Sequence, residues 1–280
     1  MTLDRYAVIG NPVAHSRSPF IHAAFARQTG QLLEYEHLEC PIDGFEGAVR
    51  RFAGEGGCGC NVTVPFKFEV LRLAPRCSAR AELAGAANIL RFDSHGWLAD
   101  NTDGIGLVHD IEQGAARPLA GRRVLLVGAG GAGAGVLGPL LAAGPVQVVV
   151  ANRSLDRAHA LVARHADCAH RHGVALGVAT LRAPGTGFDV VLNASASSLL
   201  GAPVPVPAST LAPGALAVDL MYGPSAAPFL AWALAAGATP RDGLGMLVEQ
   251  AAAAFEIWRG VHPQTAPVLA ALRAEMAAGR

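Results

Sequence analysis

The sequence Arg123-Val-Leu-Leu-Val127-Gly128-Ala-Gly130-Gly131-Ala-Gly133 decides the fold of much of this chain. Its first five residues are an apolar run typical of a buried strand, and the glycines predict a tight turn. An alanine- and leucine-rich helix and a second apolar strand, Val146 to Val150, follow. Strand, glycine turn, helix and strand in this order are typical of a dinucleotide-binding unit, because glycines let the backbone approach a pyrophosphate at the helix N-terminus.

The pattern continues beyond this unit. Apolar stretches at 189–192 and 216–220 predict further strands of the same sheet, and the proline-rich stretch 201–213 between them predicts a loop. We therefore expect a Rossmann-like, parallel, doubly wound sheet. The residues of its glycine turn that we expect to contact the cofactor are Gly128, Ala129, Gly130, Gly131 and Ala132.

The end of the second strand indicates which dinucleotide binds. An NAD site places a carboxylate about 20 residues after the glycine turn to hold the ribose hydroxyls. Here Asn152 stands 19 positions after Gly133, and Arg153 and Arg157 follow it. Guanidinium groups pair with a 2′-phosphate, whereas a carboxylate repels it, so the sequence favours NADP. Arg153 carries more of this argument, since Arg157 is also compatible with an ordinary helix surface.

The first hundred residues alternate strands and helices, which predicts an α/β domain. Ser18 and Pro19 have the residue types of a helix N-cap and first helical position. The expected strands are 6–9, 32–38, a strand through Asn61 that ends at Pro65, and a hairpin around 93–96; the expected helices are one from Ser18, 43–53 and 67–84.

Two helices end the chain, one from Gly243 to about Trp258 and one from Pro267 onwards. The nucleotide sheet is complete without them, so we expect them to pack on the first domain. The predicted organisation is a substrate and catalytic domain at 1–103, an NADP-binding domain at 104–242, and C-terminal helices at 243–280.

Lys67 is the single lysine among the 22 basic residues. Lysine has a pKa that its surroundings can tune, whereas arginine stays charged, so lysine is the cation suited to proton transfer. Asn61 and Thr63 precede it at alternating positions, which in a strand places both side chains on one side. Lys67 is therefore the first candidate for a catalytic residue.

Polar side chains occur in several patches of an otherwise apolar sequence, at positions where folding alone does not require them. Singly each is as compatible with a cap or a turn as with function, but together they predict a site for a small polyhydroxylated molecule. These residues are Ser16, Ser18, Asn61, Thr63, Lys67, Asn88, Asn101, Asp103 and Gln250.

Composition narrows the class of protein. The 280 residues are 51% hydrophobic, and 22 basic residues balance 22 acidic ones. A zero net charge offers no electrostatic surface for nucleic acid or an anionic membrane. Because no apolar run is long enough for a membrane helix and the N-terminus enters a strand at once, we expect a cytoplasmic protein. The five cysteines are odd in number and irregularly spaced, which favours reduced thiols.

The sequence resembles the shikimate dehydrogenase family over essentially its whole length. The stretches that carry the resemblance are Gly10-Asn-Pro-Val-Ala-His-Ser-Arg-Ser-Pro19, Asn61-Val-Thr-Val-Pro-Phe-Lys67, Asp100-Asn-Thr-Asp-Gly104, Gly128-Ala-Gly-Gly-Ala132, Asn152-Arg-Ser154, Asp219-Leu-Met-Tyr222 and Gly243-Leu-Gly-Met-Leu-Val-Glu-Gln250. The sequence departs from the family pattern in three places. Ile89 stands where threonine is common, and Ser195 stands where threonine is frequent, which keeps the hydroxyl. Gly133-Ala134 replaces bulkier residues, which leaves Arg153 more important for the phosphate.

The resemblance implies reversible NADPH-dependent reduction of 3-dehydroshikimate to shikimate in the aromatic amino-acid pathway, with Lys67 and Asp103 as the catalytic pair. Those two residues and Ser16, Ser18, Asn61, Thr63, Asn88, Tyr222 and Gln250 would bind substrate. Beyond the glycine turn, the implied cofactor contacts are Asn152, Arg153, Arg157, Asn193, Ser195, Leu220, Gly243 and Met246. Chemistry agrees, because hydride delivery to a ketone builds negative charge on oxygen, which a protonated Lys67 held by Asp103 would meet.

Other interpretations stay open at this point. A quinate/shikimate dehydrogenase working with NAD is one, and a methylene-tetrahydrofolate dehydrogenase, which also joins a lysine-bearing domain to a nucleotide fold, is another. A non-catalytic paralogue that senses shikimate-like ligands would be expected to lose Lys67 or Asp103, and both are present. The sequence does not distinguish a monomer from a homodimer.

The segment His165-x-x-Cys168-x-His170-x-His172 has metal-ligand residue types near the end of a predicted helix. A solvated polar segment explains it better, and we expect no metal site.

Overall fold

A computed structural model describes residues 3–198 and 202–278 of the chain. The chain divides into two compact units, the first made of residues 1–106 and 247–280 and the second of residues 107–246.

The first unit contains a mixed six-stranded sheet. Its strand order is β2-β1-β3-β5-β6-β4, with parallel pairing from β2 to β3, antiparallel pairing of β3, β5 and β6, and β4 parallel to β6. The strands are β1 (Asp4–Gly10), β2 (Leu33–Glu39), β3 (Gly57–Val62), β4 (Arg76–Cys77), β5 (Ile89–Asp93) and β6 (Gly96–Asp100).

Helices cover this sheet. They are α1 (Ser18–Thr29), α2 (Phe45–Gly54), α3 (Val70–Leu73), α4 (Ala79–Ala84), α5 (Asp103–His109), which runs on into the second unit, and, from the end of the chain, α9 (Leu244–Arg259) and α10 (Thr265–Ala278). On one face of the sheet Phe45 and Phe66 stack at 4.5 Å within a buried apolar cluster. Trp258 of α9 donates a hydrogen bond to the Leu90 carbonyl at 3.1 Å, and residues 247–280 belong to this compact unit.

The expected helix over 67–84 is wrong. A 3₁₀ turn (Phe66–Phe68) is followed by α3, which ends where Ala74 adopts an extended conformation. β4 and α4 come next. Pro75 is the physical reason, because proline lacks the amide a helix needs and forces the preceding residue out of the helical region. The break lets the chain add β4 to the sheet.

Ser18 is not the N-cap that the sequence predicted. The helix already includes Ser18, Arg17 is the cap residue, and no side chain caps the helix. Pro19 does lie in the first turn. The Ser18 hydroxyl instead accepts a hydrogen bond from Ser16 Oγ at 3.1 Å.

The second unit is a six-stranded sheet in which every neighbouring pair is parallel. The strands are β7 (Arg123–Val127), β8 (Gln147–Ala151), β9 (Ala175–Ala179), β10 (Phe188–Asn193), β11 (Leu211–Asp219) and β12 (Thr239–Arg241), and the helices are α6 (Gly131–Ala142), α7 (Leu155–Arg171) and α8 (Ala227–Ala235). The order β12-β11-β10-β7-β8-β9 is that of a Rossmann fold, with the switch point between β7 and β10. The expected fold class is confirmed.

Several details of this unit differ from expectation. The sequence analysis missed β9, which is half-buried at the sheet edge, and β12, which is three residues long. The predicted loop 201–213 begins at Gly201, outside the described residues, and its last three residues belong to β11. Burial on both faces of the sheet accounts for the continuous apolar character of β7 and β10, as at Val127 and Val191.

Among residues 3–198 and 202–278, no helix combines the length and apolar character that crossing a bilayer requires.

Candidate active site

Lys67 and Asp103 form an ion pair in the first unit. Lys67 lies in the 3₁₀ turn after β3, and Asp103 is the first residue of α5. Lys67 Nζ is 2.5 Å from Asp103 Oδ2, and the two side chains are 13% and 5% exposed. The carboxylate is therefore almost withdrawn from water, while the ammonium group keeps limited access to a ligand. A cation held in this way is available to an oxygen that gains negative charge.

Asn88 fixes the other oxygen of Asp103. Its Nδ2 lies 2.9 Å from Asp103 Oδ1 and 3.1 Å from Gln250 Oε1. Its Oδ1 accepts from the Thr102 amide at 2.9 Å. Because Asn88 occupies Oδ1, the Oδ2 atom of Asp103 is directed to Lys67. Asn88, Asp103 and Gln250 thus share one hydrogen-bonded group, which also includes Thr102, a residue not predicted from the sequence.

Asn101 anchors the loop that carries Asp103. Its Oδ1 accepts from the Asp103 amide at 3.1 Å, and its Nδ2 donates to the Ala86 carbonyl at 2.9 Å. Asn101 is 1% exposed, so the structure gives it a supporting position rather than a surface for ligand.

Asn61 is the second buried amide of the group, 6% exposed. Tyr35 Oη donates to Asn61 Oδ1 at 2.6 Å, and Asn61 Nδ2 lies 3.4 Å from the Asn88 carbonyl. Burial raises the pKa of Tyr35 well above its ordinary value, so the phenol keeps the proton that it donates. Tyr35 was not predicted, because a tyrosine in an edge strand carries no functional signal in the sequence.

His22 packs under this tyrosine. The two rings are parallel within 5° at 4.3 Å, and the His22 ring is buried. Burial lowers the pKa of His22 to about 3, so the ring is neutral at physiological pH. The hydrogen-bonded pair of Tyr35 and Asn61 thus packs against an uncharged aromatic ring.

Thr63 shapes the turn that presents Lys67. Its amide donates to the Ile9 carbonyl at 2.9 Å, and its carbonyl accepts from the Phe66 amide at 3.0 Å. A Cβ on Gly10 would meet the Thr63 methyl group at 2.5 Å, so this glycine is required for the close approach. Thr63 is half-buried, whereas Asn61 is buried.

Two glycines of the turn in the second unit, Gly128 and Gly133, leave no room for a side chain. A Cβ on Gly128 would lie 2.9 Å from the Ala194 backbone, and one on Gly133 would lie 2.2 Å from the Gly128 carbonyl oxygen. The φ of Gly128 is 112°, a conformation that favours glycine. Gly130 precedes α6, whose N-terminus has no side-chain cap. Free amides at a helix start next to a tight glycine turn suit a pyrophosphate.

Asn152 joins the glycine turn to the start of α7. Its Oδ1 accepts from the Ala129 amide at 3.2 Å, and its Nδ2 donates to the Ser154 carbonyl at 2.9 Å. Ser154 caps α7 by accepting from the Arg157 amide. Arg153 and Arg157 are exposed, and no carboxylate of the described residues pairs with either. The residues present therefore fit a dinucleotide that carries a 2′-phosphate.

The remaining expected cofactor residues follow the carboxyl ends of β10, β11 and β12. Ser195 Oγ donates to Asn193 Oδ1 at 2.6 Å, and the Leu220 amide donates to the Asn193 carbonyl at 3.0 Å. A Cβ on Gly243 would lie 2.2 Å from the Leu220 carbonyl oxygen. Met246 is buried, and Tyr222 is half-buried just after β11. Brought to one sheet edge, these residues occupy the place where open α/β sheets bind ligands.

The histidine-rich segment lies in α7, with His172 as the residue after its end. His165 is buried, and its Nδ1 bonds to the Leu161 carbonyl at 2.9 Å. Throughout the described ranges, no group of three or more His, Cys, Asp or Glu side chains is arranged to hold a metal ion.

The sequence matches three family descriptions in chain order. Residues 8–90 match the shikimate dehydrogenase substrate binding domain, residues 110–200 match shikimate / quinate 5-dehydrogenase, and residues 243–273 match the shikimate 5′-dehydrogenase C-terminal domain.

Curated relatives and solved structures agree with these matches. "Shikimate dehydrogenase (NADP(+))" of Acidovorax sp. (strain JS42) is 62% identical over 99% of this chain and 98% of its own length. The protein of that name from Methylibium petroleiphilum is 61% identical over 97% of this chain and 94% of its own. Shikimate 5-dehydrogenase from Thermus thermophilus, solved in complex with NADP(H) and shikimate, is 31% identical, with a TM-score of 0.84 over 97% of this chain and 99% of its own. The chain belongs to the shikimate dehydrogenase family.

Proposed function

We propose that this protein is an NADP-dependent oxidoreductase that acts on a CH–OH group and catalyses the reversible reduction of 3-dehydroshikimate to shikimate in aromatic amino-acid biosynthesis. The observation that carries the proposal is the Lys67–Asp103 pair at 2.5 Å, set among buried neutral amides in one unit of a chain whose other unit is a Rossmann fold. Relatives at 61–62% identity that are named NADP(+) shikimate dehydrogenases support the same activity.

Lys67 is the proton donor in the reducing direction. NADPH supplies the hydride when it is bound. As the ketone carbon is reduced, its oxygen becomes negative, and Lys67 Nζ stabilises that charge and transfers a proton to the oxygen. In the oxidising direction neutral Lys67 takes the same proton from the hydroxyl. Asp103 keeps Nζ in place through both steps, because Asn88 fixes the carboxylate.

Neutral hydrogen-bonding groups hold the rest of the substrate. A polyhydroxylated ring offers donors and acceptors around its edge, and side-chain amides and hydroxyls can match either kind. We assign this role to Ser16, Ser18, Asn61, Thr63, Asn88, Gln250 and Tyr222. A site built from such groups discriminates strongly against analogues that lack a hydroxyl, because its buried polar atoms are then left unpaired.

NADP is held by the second unit. The turn from Gly128 to Ala132 and the N-terminus of α6 receive the pyrophosphate, and Arg153, supported by Asn152 and Arg157, receives the 2′-phosphate. Asn193, Ser195, Leu220, Gly243 and Met246 hold the nicotinamide end. In terms of the chain, residues 1–103 with most of 243–280 serve the substrate, and residues 104–242, together with Gly243 and Met246, serve NADP.

The working form is a cytoplasmic monomer or homodimer. Support for a reducing compartment comes from the five cysteines, all of which are free thiols. The molar mass of the purified protein in solution distinguishes the two oligomeric states.

An absorbance assay at the nicotinamide band tests the function directly. With shikimate and NADP⁺ the purified protein should produce NADPH, faster than it produces NADH from NAD⁺. Quinate is the informative second substrate, because one of the matching families is described as shikimate / quinate 5-dehydrogenase. Binding of NADP⁺ without turnover of shikimate would contradict the proposal and favour a ligand-sensing protein.

A further inference from the structure

Asp219 is a buried carboxylate without a counter-ion. It is the last residue of β11 and is 0% exposed. No arginine, lysine or histidine of the described part of the chain forms an ion pair with it. Burial raises the pKa of Asp219, which reflects the cost of holding a charge there. Burying a carboxylate without a counter-ion lowers the stability of the fold. A carboxylate kept at such a position therefore calls for a functional explanation.

Three donors converge on this carboxylate. Ser198 Oγ donates to Oδ2 at 2.5 Å, Asn193 Nδ2 donates to Oδ2 at 3.1 Å, and the Met221 amide donates to Oδ1 at 2.9 Å. Of the side chains that fit this volume, only a carboxylate accepts on both oxygens. An asparagine would turn its NH₂ group towards either Met221 or Asn193, and each is a donor.

The donors come from two loops. Asn193 and Ser198 belong to the end of β10 and the loop after it, and Met221 belongs to the loop after β11. Asp219 also sets the orientation of the Asn193 side chain, because the NH₂ group faces Asp219 while Oδ1 faces the hydroxyl and amide of Ser195. One carboxylate therefore fixes both loops and the direction of an amide between them.

These loops serve one half of the dinucleotide site. In a doubly wound sheet each half of the strand order holds one mononucleotide, and the halves meet at the switch point. The strands β7, β8 and β9, with the glycine turn and Arg153, form the adenosine-phosphate half, whereas β10, β11 and β12 form the other half. Asp219 lies in the second half, so its hydrogen bonds hold the loops on the nicotinamide side and make no contact with the residues of the 2′-phosphate side.

We propose that Asp219 is a positioning residue for the nicotinamide half of NADP, acting through Asn193 and the loops after β10 and β11. The proposal rests on the proposed function, in that it assumes a dinucleotide site in the second unit. If Asp219 were needed only for folding, its replacement would weaken the binding of both halves of the cofactor equally, or of neither.

The test compares a whole cofactor with one half of it. NADPH and 2′,5′-ADP, which has the phosphates and adenosine but no nicotinamide, are titrated against the full-length protein and Asp219→Asn. We expect the Kd of NADPH to rise about tenfold, within the range by which residues that do not touch a ligand alter its binding, and that of 2′,5′-ADP to change less than about twofold. Equal loss for both ligands, or no loss for either, overturns the proposal.

Two variants complete the test. Asp189→Asn makes the same change at the opposite end of the sheet, where Asp189 accepts from the Arg123 amide, and should leave both Kd values unchanged. Ser198→Ala removes one donor and should weaken NADPH binding alone; it decides the question by the same two measurements if Asp219→Asn does not fold. Failure of the proposed function looks different, because the wild-type protein would then not oxidise shikimate with NADP⁺, a result that does not depend on Asp219.

Discussion

Replacing Arg153 with serine should lower the preference for NADP over NAD roughly tenfold. Arg153 is the residue before the Ser154 cap of α7, and Asn152 ties this point to the glycine turn through the Ala129 amide at 3.2 Å. The guanidinium is exposed and is not neutralised by any carboxylate of the described residues. It is therefore available for a ligand phosphate, and it has no evident structural role to lose.

The size of the effect follows from the exposure of the side chain. A hydrogen bond to a charged group contributes about 1.5–3 kcal/mol, and solvent screening at an exposed site places Arg153 at the lower end of that range. Because every 1.4 kcal/mol corresponds to about a factor of ten, kcat/KM for NADP⁺ should fall roughly tenfold in Arg153→Ser. The value for NAD⁺, which has no 2′-phosphate, should stay within about twofold.

Steady-state kinetics with both cofactors at saturating shikimate measure this directly. Arg171→Ser is the matched control, since it removes the same charge at the far end of the same helix. Arg157→Ser should cause a smaller loss than Arg153→Ser. If NADP⁺ and NAD⁺ lose efficiency equally in Arg153→Ser, or if NADP⁺ loses none, the assignment of the phosphate site is wrong.

Three further outcomes follow from packing and charge. Gly133→Ala should weaken NADPH binding and lower the melting temperature, because its Cβ would stand 2.2 Å from the Gly128 carbonyl oxygen; unchanged binding by fluorescence titration would contradict the close approach. Arg241→Met should destabilise the fold by about 3–5 kcal/mol in urea unfolding, since it strips the bidentate partner from the buried Asp110, and a loss under about 1 kcal/mol would contradict this. His22→Phe should reduce acid sensitivity: the folded pKa of about 3 lies below the ordinary 6.5, so stability is present above pH 6.5 and declines as pH falls towards 3. An unchanged pH dependence of the unfolding free energy in that interval would show that His22 is not responsible.

The sequence predicts the second unit better than the first for a physical reason. A buried parallel strand is apolar on both faces, and the turn at Gly128 tolerates only glycine, so local residue types are enough to predict β7, the turn and β8. Strands β9 and β12 lack that signal because they are short and partly exposed. In the first unit, the helical pattern after Lys67 hides the break at Pro75, which only the pairing of β4 with β6 reveals.

The candidate site is predictable only in part. Lys67 is conspicuous because the chain has no other lysine, and Asp103 follows from the family resemblance. Tyr35 and Asp219 act through side chains distant in sequence, at separations that no local pattern encodes. Ser18 shows the opposite error, since a residue with cap chemistry uses its hydroxyl elsewhere.

The kcat of Lys67→Arg is the decisive measurement for the role of Lys67 in proton transfer. Arginine keeps the positive charge beside Asp103 but does not release a proton at physiological pH. With shikimate and NADP⁺ at saturation, we expect a fall in kcat of at least about 100-fold, the usual contribution of a general acid or base, in a protein that still binds NADPH. A kcat within a factor of a few of the wild-type value would contradict the assignment of Lys67 as the proton donor and acceptor.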